Sequence, residues 1–241
     1  MDIEKLLQQF STRARNAFGA RLESVVVYGS AATGEFDPGR SDINLLILLD
    51  EIDMPALQNA RSLLNWWLEQ GYSWPLLMSA EEFLRSADVF PMEITDIFAR
   101  HKTIHGDFDY PAPPIEPELH RAQLEHELRS KLLRLRQKSI PLLDQPKELL
   151  RLMENSLSTF LLLLRHTLLL AGHNPGFERR ANLALAAEKF GIKPEAFLEI
   201  LDTRQGRLSP KTVDSVQLFQ SYLAQVQVLV HLADRLSEPR P

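Results

Sequence analysis

Apolar residues at Ile3, Leu6, Leu7, Phe10, Ala14 and Phe18 recur at helical spacing, which predicts an amphipathic helix over residues 3–18. The pattern then changes period. Ser24-Val25-Val26-Val27-Tyr28 is a short β-branched run ending at Gly29, so it reads as a buried strand. Residues 30–41 carry Gly34, Asp37-Pro38-Gly39 and Ser41, turn chemistry that argues against regular structure. Ile43 to Leu49 is apolar on both faces and predicts a central strand of a covered sheet. Pro55 opens a helix through Leu68, stopped by Gly71.

Trp74-Pro75-Leu76-Leu77-Met78 predicts a third, shorter strand, with Pro75 pointing to an edge or a bulge. Pro91 begins a helix reaching Arg100, and residues 102–106 form a short strand or extended exit. Pro111, Pro113, Pro114 and Pro117 make a stiff linker after Tyr110, and they set the expected domains at 1–110 and 111–241. Everything beyond reads as helix. Leu124, Leu128, Leu132 and Leu135 form one apolar stripe, 148–171 is a long buried helix, and 178–190, 194–203 and 212–236 follow. Five helices with short connections predict a bundle. The fold class expected is therefore α/β, a small mixed sheet with flanking helices, followed by an all-α helical bundle.

Composition sharpens this picture in three places. With no cysteine, disulfides, thiolate zinc sites and cysteine nucleophiles are excluded. The apolar stretch Leu157 to Ala171 is broken by Arg165 and His166 and falls short of the about 20 residues of a membrane span. The first residues, Met1 to Lys5, lack a secretory pattern, so the expectation is a cytoplasmic protein with no membrane association. The net charge of −5 is unevenly placed: residues 1–110 hold 9 basic and 17 acidic side chains, residues 111–241 hold 18 and 15. That split suits one acidic, metal-tolerant lobe and one mildly basic lobe. It argues against a dedicated nucleic-acid binder, which is strongly basic overall.

The candidate chemistry sits between the first two strands. A strand ending in Gly29-Ser30 can hold phosphate, because glycine lets the backbone approach and the Ser30 hydroxyl can donate. Asp42 and Asn44 alternate along the second strand, so both project from one face. Two such oxygen ligands beside a phosphate cradle can hold Mg²⁺, which prefers carboxylates and substrate oxygens. Arg40 and Ser41, next to Asp42, are further candidates for contact with a triphosphate.

The segments Val27-Tyr28-Gly29-Ser30-Ala31-Ala32-Thr33-Gly34 and Ser41-Asp42-Ile43-Asn44-Leu45-Leu46 resemble the signature of the DNA polymerase beta-type nucleotidyltransferase superfamily. In style they are most similar to the minimal and the aminoglycoside nucleotidyltransferases, which also carry a C-terminal helical bundle. The resemblance implies that Gly29 and Ser30 hold nucleotide phosphates and that Asp42 is the main ligand of Mg²⁺ or Mn²⁺. It implies an NTP as substrate, with an acceptor hydroxyl on a small molecule or a protein. The family's second aspartate falls on Asn44, an amide that coordinates without charge. The family also places a third acid, often the general base, on a later strand. Here that strand is Trp74 to Met78, which has no acid; Glu81, Glu82, Glu93 and Asp96 come after it.

Two other readings belong to different classes. One is a nucleotide-binding or regulatory protein that keeps the cradle without catalysis. The other is one half of a toxin–antitoxin-like assembly, with a helical protein partner or a second copy, and it requires a large exposed apolar patch on the bundle. Remaining features have structural readings. Arg129, Lys131, Arg134, Arg136 and Lys138 form either a solvated face or a basic wall for triphosphate or an acidic partner. His166 reads as a core histidine, Trp66 and Trp67 as helix packing, and His101 and His105 as too poorly aligned to form a ligand set.

Overall fold

A computed structural model describes residues 2–33 and 43–236 of the chain. The chain divides into two compact units, Met1–Glu116 and Pro117–Pro241.

In the first unit, helix α1 (Ile3–Phe18) precedes strand β1 (Leu22–Tyr28), the short helix α2 (Ser30–Thr33) and strand β2 (Asn44–Leu49). Helix α3 (Met54–Glu69), strand β3 (Leu76–Ser79), helices α4 (Ala80–Arg85) and α5 (Pro91–Ala99) and strand β4 (His101–Gly106) complete it. The sheet order is β3-β2-β1-β4. β1 runs antiparallel to both neighbours, while β3 runs parallel to β2, so the sheet is mixed. Covering both faces explains why β1 and β2 are apolar at nearly every position. Val25, Val27, Leu45, Ile47 and Leu49 pack under α1 and α3 together with Phe10 and Trp67. Val26, Leu46 and Leu48 pack on the opposite face against Phe83, Ile94 and Ile97 of α4 and α5. Phe108, Tyr110 and Ile115 extend that second layer, so the proline-rich segment lies against the sheet of the first unit.

Two local features depart from the sequence expectation. The turn-rich stretch after β1 begins with helix, since Ser30–Thr33 forms one short turn of it. Helix α4 was not anticipated, although its sequence carries a start signal. The Glu82 N–H donates to the Ser79 hydroxyl at 3.1 Å, and the Ser79 N–H donates to the Glu82 carboxylate at 2.8 Å. This reciprocal pair satisfies two backbone donors that a helix start leaves open. Ser79→Ala is expected to cost about 1 kcal/mol, read as a lowered urea midpoint of the first unit's unfolding. At the far end of the sheet, the Ala56 N–H and then the Arg21 guanidinium hold the Asp53 carboxyl below its ordinary pKa.

The second unit is helical: α6 (Pro117–Ser139), α7 (Pro146–Leu170), α8 (Arg179–Phe190), α9 (Glu195–Arg204) and α10 (Ser215–Arg235). Its core is the α6 stripe Leu124, Leu128, Leu132 and Leu135, the buried face of α7, and Phe197 and Tyr222. Several polar side chains inside it are hydrogen-bonded. The Tyr222 hydroxyl lies 3.0 Å from that of Ser156, and burial pushes its pKa up. Arg165 donates to the Gly176 carbonyl at 3.0 Å and lies over the Phe177 ring. His166 lies 2.8 Å from His120 through ring nitrogens, which makes it a core histidine with a hydrogen bond. Among the described residues no helix is long and apolar enough to cross a membrane.

Two members of the basic face on α6, Arg129 and Lys131, are held in ion pairs. Arg129 pairs with Glu125 and Asp234, Lys131 with Glu127, and Arg121 with Glu125. Pairs this exposed contribute little to stability.

Candidate functional site

One end of the sheet gathers the polar residues of the first unit. β1 leaves the sheet at Tyr28, and Gly29 turns the chain with φ +71°, a left-handed value that L side chains rarely adopt. The Gly29 carbonyl accepts from the Ala32 N–H at 3.0 Å and holds the turn into α2. A second constraint acts on the same glycine. A Cβ placed there would stand 2.8 Å from Asn44 Nδ2, so the amide of Asn44 lies directly against the turn. Glycine is needed at position 29 for both reasons.

Asn44 comes to that place through strand register. It is paired with Tyr28 across the antiparallel β1–β2 ladder. Asn44 shares its face with Leu46 and Leu48, which pack under α4 and α5. Tyr28 packs on the same side. Gly29, Ser30 and Asn44 are thus brought together, two from the end of β1 and one from the start of β2. Arg40, Ser41 and Asp42 lie outside the described residues.

The structure also places the carboxylates considered for the third acidic position. Glu82 is engaged by the Ser79 N–H in the helix start described above. Glu81 forms an exposed i,i+4 pair with Arg85 at 2.9 Å. Glu93 lies in the first turn of α5. The parallel β2–β3 register begins at Leu46 with Leu76, so the approach to β3 that lies level with Asn44 is Trp74. That residue is an indole 64% exposed, and no carboxylate follows it as far as Met78 in the segment for which the resemblance implies one. Among the described residues no group of three or more His, Asp or Glu side chains is arranged to hold a metal ion. What the described residues offer a cation is the neutral oxygen of Asn44 beside a close-packed glycine turn.

One residue at this end, which the sequence offers only as a poorly aligned ligand with His105, stands beside Tyr28. His101, the first residue of β4, pairs with Tyr28 on the side of β1 opposite Asn44. Its Nδ1 lies 2.9 Å from the Ile97 carbonyl, so Nδ1 carries the proton and donates. Its ring meets Phe108 edge-on at 4.7 Å. The only sequence signal for it was its position just after a helix end.

Residues 3–103 match the family model of the nucleotidyltransferase domain. Among the solved structures similar to this chain is spectinomycin adenyltransferase AAD(9) from Enterococcus faecialis, determined with ATP and spectinomycin. The match has a TM-score of 0.53 at 13% identity, covering 98% of this chain and 99% of that one. At that identity the likeness is one of fold. No curated protein matches the chain.

Proposed function

The N-terminal unit of this chain is a nucleotidyltransferase domain, and from that premise we propose that the protein transfers a nucleoside monophosphate from an NTP to a hydroxyl of a small molecule. The observation that carries the reading is the packing of Asn44 against Gly29, which joins the two halves of the family's signature at one end of the sheet. In this reading Gly29 and Ser30 contact the nucleotide phosphates, with Arg40 and Ser41 beside them. Asp42 and Asn44 are the ligands of Mg²⁺ or Mn²⁺. When bound, the metal neutralises phosphate charge and orients the triphosphate for in-line attack. The acceptor oxygen bonds to the α-phosphorus, the bond to the bridging oxygen breaks, and pyrophosphate leaves while the hydroxyl proton passes to a base. A small-molecule acceptor is favoured over a protein because the similar adenyltransferase was determined with spectinomycin.

A second reading is favoured by one specific observation, the amide at position 44 together with the lack of any acid from Trp74 to Met78. In it the domain binds nucleotide and no longer transfers it. Labelled NTPs supplied with Mg²⁺ or Mn²⁺ and a panel of hydroxylated acceptors separate the two. The transferase reading expects label on an acceptor with the native chain and none with Asp42→Ala. If only Asn44→Asp labels an acceptor, the protein binds nucleotide without catalysis.

A further inference from the structure

The helical unit carries an apolar turn that the nucleotide reading does not use. α6 and α7 pack against each other and are joined by a short connection, so they form a helical hairpin. Its turn is Ile140-Pro141-Leu142-Leu143, four consecutive apolar residues. Ile140 is 70% exposed and Leu143 is 49% exposed. Leu133, two helical turns before Ile140 and on the same stripe, is 56% exposed.

The backbone of this turn is occupied from within. The Gln145 side-chain amide donates to the Pro141 carbonyl at 2.8 Å, and the Gln145 N–H donates to the Leu142 carbonyl at 2.9 Å. The Ser139 hydroxyl donates to the Arg136 carbonyl at 2.9 Å. Pro141 and Pro146 have no N–H to satisfy. These three carbonyls can therefore enter an apolar phase without the penalty that an open backbone group carries there.

Cations stand directly behind the apolar residues. Arg134, Arg136 and Lys138 on the last turns of α6, with Lys147 and Arg151 on the first turns of α7, are all exposed. In contrast to Arg129 and Lys131, none of the five forms an ion pair among the described residues. They lie within about 10 Å of the turn along the helix axes. Asp144 and Glu148 are the acidic side chains here, so residues 133–151 hold five basic and two acidic groups in a chain of net charge −5. The same segment has no aromatic side chain on which a nucleic-acid base could stack. A protein interface pairs polar backbone as well as apolar side chains, and the three carbonyls are already engaged. An apolar turn backed by unpaired cations is complementary to a bilayer with anionic headgroups.

We propose that the α6–α7 turn is a peripheral docking site for an anionic phospholipid surface. Ile140 and Leu143 enter the boundary between headgroups and acyl chains, and the five cations behind them meet the lipid phosphates. Contact of this kind needs no membrane-spanning helix. It is independent of the nucleotidyltransferase reading.

Co-sedimentation of the full chain with vesicles tests this, using phosphatidylcholine alone and phosphatidylcholine mixed with equal parts of phosphatidylserine. The native chain is expected to sediment with the mixed vesicles and to stay in solution with phosphatidylcholine. The double variant Lys138→Gln, Lys147→Gln should weaken binding to mixed vesicles by about fivefold for each charge removed. Ile140→Asp should weaken it by about tenfold or more, since a carboxylate replaces the inserted side chain. Thermal unfolding followed by circular dichroism should match the native chain in both variants, because the altered side chains are exposed. Raising salt from about 0.1 M to about 0.5 M should release the native chain from mixed vesicles, a check that needs no substitution. A native chain that fails to bind mixed vesicles, or binds both kinds equally, overturns the proposal. So does an Ile140→Asp variant that binds as the native chain does. A chain that ignores vesicles but forms a dimer, with Ile140→Asp monomeric by light scattering, also overturns it and assigns the turn to a second copy.

Discussion

Replacing Trp67 with alanine is expected to destabilise the N-terminal unit by about 4 kcal/mol, within the range for truncating a buried aromatic. The indole has no exposed surface. It meets Phe10 of α1 edge-on at 4.8 Å and stacks on Tyr72 at 4.9 Å. Its Nε1 donates to the Ser73 carbonyl at 2.9 Å, tying the turn after α3 to the helix that precedes it. The substitution removes the ring from the α1–α3 layer and leaves that carbonyl without its donor. Trp67→Phe keeps most of the packing and loses the hydrogen bond, so it should cost about 1 kcal/mol beyond the smaller ring volume. Urea unfolding followed by circular dichroism measures both. A loss under about 1 kcal/mol for the alanine variant would show that the layer repacks without the indole.

The second large effect belongs to Gly29. Alanine there must adopt a left-handed backbone, at a cost of about 1–2 kcal/mol. It must also displace Asn44, whose amide nitrogen lies 2.8 Å from where the Cβ would stand. The backbone cost alone appears at Gly191, which has φ +68° and no atom within 4 Å of an added Cβ. Gly191→Ala is therefore the matched control. Both variants should lose stability, but only Gly29→Ala should lose affinity for MgATP, by about tenfold or more if one charge-assisted contact is lost. Equal nucleotide affinity in the two variants would separate the Gly29–Asn44 contact from ligand binding.

The sequence was informative where a residue's role is local. The β-branched run Val25–Val27 and the apolar run Leu45–Leu49 have no polar alternation, and both became inner strands covered on two faces. Chain reversal at Gly29 was legible too, because few residues tolerate the backbone required there. Helix α4 was legible in principle, as Ser79 followed three residues later by Glu82 is a helix-start pattern. What sequence could not supply was long-range pairing. Arg129 reads in sequence as one member of a solvated or basic face, and its pairing with Asp234, far along the chain, is set by the fold. His101 belongs to the same class: only the β1–β4 register sets it beside Tyr28, and only the fold sets its Nδ1 against the Ile97 carbonyl. The signature residues Arg40, Ser41 and Asp42 rest on the resemblance and on the position of Asn44 next to them.

Asp42 is therefore where the account is most directly exposed. Calorimetric titration of the native chain with ATP, with Mg²⁺ and then with excess chelator, should give one site per chain whose affinity depends on the metal. Asp42→Ala should remove the metal dependence, since the charged ligand is gone while Gly29, Ser30 and Asn44 remain. A native chain that binds no MgATP, or an Asp42→Ala variant that binds it with undiminished metal dependence, would contradict the placement of the nucleotide site at Gly29 and Asn44.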